Sequence, residues 1–190
     1  MRDKQINIQF GDWTESIDEL PDGEDLDSLL GNIALHIGRI MIEFNSLEDT
    51  VSFCIKEIMS RSAGFDEMVY VFLSEMRYNS KVGSLINLYS QMINACEEHK
   101  QENLRKRLEA LETRLREASA RRNRYAHASW TEISSKNYVR VKTKAKKGGV
   151  FHSYRRFETE DMVQDCDYIE KTQTVLSDFD ELIWLCVQTS

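Results

Sequence analysis

From Leu26 to Ile58 a single apolar stripe runs through the chain: Leu26, Leu30, Ile33, Ile37, Ile40, Phe44, Leu47, Val51, Cys54 and Ile58. The steps of three and four line one face of an α-helix. Such a helix, of roughly 35 residues at 1.5 Å per residue, is about 50 Å long and needs partners along most of that face. The rest of the sequence supplies them. Shorter helical patterns occupy about Asp66 to Met76 and about Ser80 to Glu97, with Ser80 placed to cap the second. A second long helix from about Gln101 carries Leu104, Leu108, Leu111, Leu115 and Ala118 inside a charged face. A last one, from about Thr159 to Val187, carries Met162, Cys166, Ile169, Leu176, Phe179, Ile183 and Cys186. The period breaks between Trp130 and Thr159. There Tyr138 to Lys142 and Val150 to Phe157 alternate as strands do, around a basic Gly-containing tip at Ala145 to Gly149.

The fold class expected is therefore all-α, a helical bundle with a small β-hairpin insertion at about residues 131 to 158, before the C-terminal helix. With 190 residues and 41% apolar side chains, one core is the default, so residues 24 to 190 are read as one helical domain. Residues 1 to 23 hold the only proline, Pro21, lack a sustained period and are expected to be an extended N-terminal arm. No stretch has the length of about 18 apolar residues that a bilayer span requires, and the polar start resembles neither a secretory nor a transit signal. A cytoplasmic location without membrane association is the expectation. Cys54, Cys96, Cys166 and Cys186 are too scattered for a zinc cluster and fall on the apolar helix faces, so no metal or cofactor is expected and the thiols are read as buried and reduced.

Charge is unevenly placed. The formal net charge is -7, yet residues 101 to 156 hold 16 Lys/Arg against 5 Asp/Glu, and the remainder 9 against 27. A basic segment within an acidic protein suits a phosphate-binding surface, and it equally suits ion pairing with the acidic helices of the same fold or of a second copy. Within the hairpin, Lys144, Lys146 and Lys147, with Lys142, Arg155 and Arg156, are candidates to grip an RNA backbone or to keep strand edges soluble.

The point where the fourth helix departs from its own pattern is chemically the most suggestive. Continuing its stripe past Ala118 leads to positions 122 and 125, which hold Arg122 and Tyr125. A guanidinium on an apolar seam is costly to bury unless it is paired or faces a cleft. Asn123 and His127, four apart, share a helix face, while Arg122 lies about 140° from His127 around a regular helix. They converge only if the arginine reaches round, if the helix ends near Tyr125 to Ala128, or if a second protomer completes the site. The plain alternative is a basic C-terminal cap, since cations there complement the helix dipole. Tyr125 and Trp130 are read as packing residues or as platforms on which a base stacks.

Arg122-Asn123-Arg124-Tyr125-Ala126-His127 resembles the signature of the HEPN superfamily: Arg, a polar residue that is often Asn, Asp or His, three residues, then His. The early long helix with Phe44-Asn45-Ser46-Leu47-Glu48, and the motif at the end of a later long helix, fit the same pattern. The resemblance covers about residues 25 to 187 in architecture and six residues in motif. It implies an HEPN-like helical bundle that forms a homodimer, with two motifs across a cleft that in active members is a metal-independent endoribonuclease site. Carried over, His127 is the general acid/base, Arg122 binds and stabilises the scissile phosphate, and Asn123 orients His127 or bonds the phosphate. Arg121 and Arg124 would join the lysines in holding RNA. The resemblance also implies a toxin or antiviral defence role, with an antitoxin or regulatory protein as partner. HEPN toxins silenced by nucleotidyltransferases carry a tyrosine two residues after the histidine; Ser129 stands there, so that silencing is not expected. Two readings stand beside the nuclease: a non-catalytic HEPN module binding a nucleotide, nucleic acid or protein, and a purely structural helical dimer.

Overall fold

The structure is a computed structural model that describes residues 23–60, 66–127, 129–134, 137–146, 149–156 and 159–189. Among the described residues it is an all-α helical bundle of five helices, α1 (Gly23–Ser60), α2 (Asp66–Glu75), α3 (Tyr78–Asn94), α4 (Glu98–Ala126) and α5 (Thr159–Gln188), with strands β1 (Ser129–Ser134), β2 (Asn137–Lys146) and β3 (Gly149–Arg156) between α4 and α5. The arm expected over residues 1 to 23 lies outside the described residues up to 22, and Gly23 already opens α1. Two compact units divide the chain. One takes its described residues from Gly23–Ile40 and Asn123–Gln164, the other from Met41–Arg122 and Asp165–Thr189.

In the second unit the apolar stripes meet as their periods require. Phe44, Leu47, Val51, Cys54 and Ile55 of α1, Val82, Leu85, Tyr89 and Ile93 of α3, Leu104, Leu108, Leu111, Leu115 and Ala118 of α4, and Ile169, Leu176, Phe179 and Ile183 of α5 are all buried. Burial of one such aliphatic or aromatic side chain contributes about 1.5–3 kcal/mol, so this seam is the dominant stabilising term. Several polar groups inside it are paired. Tyr89 donates to Asp180 Oδ1 at 2.7 Å and Tyr78 to the Leu115 carbonyl at 3.2 Å. Lys81 Nζ reaches Glu48 Oε1 at 2.8 Å. Gln173 bonds both Ser46 and Thr50.

The expected start of α3 moves. Ser80 is not its cap: the N-cap position is Arg77, without a side-chain cap bond, because Tyr78 packs inside and the first turn forms ahead of the serine. Helix α2 buries Val69 and Leu73, and Met68, Val71 and Phe72 are exposed. On a 100° wheel the exposed three span one arc, separate from the buried pair.

The first unit contains the sheet, in the order β1-β2-β3 and antiparallel throughout. Strands β2 and β3 pair from Val139 with Arg156 to Lys146 with Gly149. Strand β1, at Ser129–Ser134, is an addition to the two strands read from the sequence; it pairs Ser129 with Val141 and Trp130 with Arg140. The Ser-Trp-Thr-Glu-Ile-Ser run alternates only weakly, which leaves pairing with β2 to define it. Ile40, Tyr125 and Met162 are among the buried side chains of this unit.

Candidate functional site at the end of the fourth helix

Helix α4 stops at Ala126, and His127 occupies the turn that follows, exposed to solvent. The backbone carbonyls at the end of a helix carry partial negative charge, which suits the run of cations here.

Arg122 is half-buried, with its guanidinium carbon 4.9 Å from the centroid of the Phe44 ring. Phe44 is buried and lies 4.7 Å, centroid to centroid, from Tyr78, whose hydroxyl donates to the Leu115 carbonyl. The arginine thus rests on an aromatic platform that is itself anchored to α4 three turns of sequence earlier than its end would suggest: Phe44, Tyr78 and Leu115 form one continuous support. A cation over an aromatic face gains about 0.5–2 kcal/mol, according to how far it is desolvated. Burial of the Tyr78 phenol pushes its pKa well above the usual tyrosine value, with the neighbouring Glu48 carboxylate adding to the rise, so it stays a neutral donor.

Arg121, expected at the RNA, is used inside the fold. Its Nε bonds Glu117 Oε1 at 2.9 Å, one turn earlier, and its Nη1 bonds Asp165 Oδ1 at 2.9 Å. Its guanidinium carbon also lies 3.8 Å from the centroid of Tyr168, against which Arg114 stacks at 5.0 Å. The Asp165 side chain is only 8% exposed and Arg121 24%. A carboxylate buried to that degree requires its cation, so Arg121 has a structural role in this fold. Sequence offers a weak trace of this pairing, since Asp165 sits next to Cys166 on the inward face of α5 and an acid there needs a partner.

Asn123 and Arg124 are half-buried, and Arg124 is the basic residue in the last turn of α4. Tyr125 is 2% exposed, so it packs and offers no face to a base. Lys144 and Lys146 are in β2, their backbone positions opposite Phe151 and Gly149, and Lys147 lies outside the described residues. The residue that sequence reasoning missed is Phe44: its place on the apolar stripe of α1 marks it as core and hides its second use under Arg122.

What this end of α4 can do chemically follows from those placements. An exposed imidazole can exchange protons with solvent and with a bound hydroxyl, and a guanidinium held against a ring keeps its direction while a ligand arrives. Among the described residues no group of three or more His, Cys, Asp or Glu could hold a metal ion, and no helix is long and apolar enough to cross a membrane. Comparison with protein-family models, with curated proteins and with solved structures finds no match to this chain.

Proposed function

We propose that the chain is a metal-independent endoribonuclease of HEPN type, working from the C-terminal end of α4. The observation that carries this reading is the position of the Arg122-to-His127 signature: the helix ends at Ala126, His127 is exposed in the turn, and Arg122 is braced on Phe44. In the proposed reaction the ribose 2'-hydroxyl attacks the adjacent phosphorus and the 5'-oxygen leaves. His127 takes the proton of the attacking hydroxyl or delivers one to the leaving oxygen. Arg122 offsets the charge that grows on the phosphoryl oxygens, for which a planar, permanently charged fork is well suited. Asn123 orients the imidazole or bonds the phosphate. The products are a 2',3'-cyclic phosphate or 3'-phosphate and a 5'-hydroxyl.

Two copies of the chain share the cleft in this proposal. Exposed apolar side chains that a second copy would cover are consistent with association: Leu35 and Ile42 on α1, and Met68, Val71 and Phe72 on α2. A cytoplasmic toxin or antiviral nuclease, held in check by an antitoxin or regulatory protein, is the setting that the resemblance implies.

A second reading has one observation in its favour. Arg122 is engaged with Phe44 inside the fold, as a structural arginine would be, which suits a non-catalytic HEPN module that binds a nucleotide, nucleic acid or protein. The two readings part on one experiment. Purified protein is incubated with single-stranded RNA in EDTA and the ends of any fragments are identified. Cleavage that persists under chelation and leaves cyclic or 3'-phosphate ends supports the nuclease. Salt-dependent RNA binding without cleavage supports the module, and EDTA-sensitive cleavage excludes the proposed chemistry. Light scattering at tens of micromolar tests the dimer, and a monomer at that concentration counts against the shared cleft.

A further inference from the structure

All four cysteines are free thiols, and two of them, Cys96 just past the end of α3 and Cys186 near the end of α5, fall at matching positions of the two helices. The register follows from contacts further back. The Tyr89 ring of α3 lies 5.2 Å from that of Phe179 in α5, edge to face, and the Tyr89 hydroxyl bonds Asp180. Four residues onward on each helix are Ile93 and Ile183, both fully buried. Seven residues onward are Cys96 and Cys186. Two helices that run in the same direction and touch at one pair of positions touch again one heptad later, with an angular drift of only about 20°. The pair survives the end of α3 because its last turn tightens rather than unwinds: Cys96 N–H bonds the Ile93 carbonyl at 3.0 Å, and the Cys96 thiol leans on the Met92 carbonyl at 3.5 Å.

We propose that Cys96 and Cys186 are an oxidation site, closing to an intramolecular disulfide when the protein meets a peroxide. Cys96 is 5% exposed and Cys186 half-buried, so the oxidant reaches Cys186 first. Its sulfur attacks the peroxide, becomes a sulfenic acid and releases one water. The Cys96 sulfur then attacks the Cys186 sulfur, an S–S bond forms, and the hydroxyl leaves with the Cys96 proton as a second water. Two thiols are oxidised by two electrons and one peroxide is reduced. Burial raises the Cys96 pKa, with the neighbouring Cys186 adding to the rise, which leaves it the resolving rather than the first-attacking sulfur. Cys54 and Cys166 are buried elsewhere in the same unit and act as internal controls.

The experiment uses the whole reduced protein. It is treated with a small molar excess of hydrogen peroxide, its remaining thiols are alkylated in denaturant, and the digest is read by mass spectrometry. The expected result is a fall from four alkylated cysteines to two, loss of two hydrogens from the monomer mass, and a peptide joining Cys96 to Cys186. A reductant should restore all four thiols. Closing a loop of roughly 90 residues should also raise Tm by about 10 °C, reversibly. C186S, at the more exposed position, should abolish the cross-link while keeping the circular dichroism of the parent, and the double variant C54S/C166S should keep the cross-link. A disulfide between chains, any other pairing, or accumulation of sulfinic acid at Cys186 with Cys96 still alkylatable overturns the proposal, and so does no loss of thiols at all.

Discussion

Between Leu104 and Ala118, α4 turns leucines inward and charged side chains outward, some of them ion-paired, whereas at Arg122 a guanidinium takes a position that the seam would give to an apolar side chain. Along the body, Lys106 with Glu102 and Arg116 with Glu112 are one-turn surface pairs, worth a few tenths of a kcal/mol each. At the end, Arg121 has a buried carboxylate and Arg122 an aromatic ring. The difference shows two ways in which a cation is accommodated at this end of the helix, against a buried carboxylate and against a buried ring. It also predicts that the two regions fail in different ways when altered.

The largest effect expected separates them outright. His127→Ala should lower RNA cleavage by about 10²–10⁴-fold, the scale for losing an acid/base group, and leave Tm within about a degree, since the side chain is exposed. Leu115→Ala should do the opposite, costing about 3 kcal/mol in urea unfolding because the side chain is fully buried. If His127→Ala destabilises as much as Leu115→Ala, the end of α4 belongs to the scaffold and not to a site.

Next in size is the contrast between adjacent arginines. Asp165→Ala removes the buried one of the two carboxylates that hold Arg121, leaving Glu117, and should cost about 2 kcal/mol, whereas Arg122→Ala, which gives up a cation–π contact, should cost about 1 kcal/mol. Chemical denaturation of the two variants measures both. Equal costs would mean that Arg122 is as structural as its neighbour.

A smaller, graded effect concerns alkali. Burial pushes the Cys54 thiol up from 9.0 to about 12, the nearby Asp180 carboxylate adding to the rise, and Tyr78 and Tyr89 are raised as well. In the unfolded chain the thiol gives up its proton near 9.0 while the folded protein keeps it, so the unfolded state binds fewer protons above that pH. Stability contributed by this group is complete below pH 9 and is lost as pH rises toward about 12. Tm should therefore fall over that window, and Cys54→Ala should flatten the fall. A Tm that is level between pH 9 and 11 would contradict it.

How much of this was legible beforehand depends on whether a residue has one role or two. Leu104, Leu108, Leu111 and Leu115 each serve the seam alone, and their period marks both the helix and its buried face. Arg122 was conspicuous for breaking that period. Phe44 was not, because a residue that packs on one side and supports a cation on the other keeps the period intact. The structural role of Arg121 is hidden for the converse reason: a cation beside the signature suggests a ligand, and its carboxylate partner is 44 positions away. Strand β1 was missed because its pairing with β2, rather than its own alternation, defines it.

The smallest effect expected tests the basic segment against the helix end. If the strands hold RNA, neutralising Lys144, Lys146 and Lys147 together should reduce the slope of log affinity against log salt by about 2, as three counterions fewer are released from a single strand. The rate on saturating RNA should change little. An unaltered slope would assign RNA binding, where present, to Arg122 and Arg124.

Gln173 bears on a different property of the molecule, its choice among near-equivalent packings. A seam of leucines and isoleucines looks much the same after one helix slides past another by a turn, about 5.4 Å. The amide of Gln173 does not: it holds Ser46 at 3.1–3.2 Å and Thr50 at 3.0 Å, two hydroxyls one turn apart on α1. A slip would carry the amide past its hydroxyl partners and leave a half-buried polar group facing apolar neighbours. Three hydrogen bonds of little net strength thus serve as a vernier between α1 and α5, turning a greasy contact that tolerates sliding into one with a single setting.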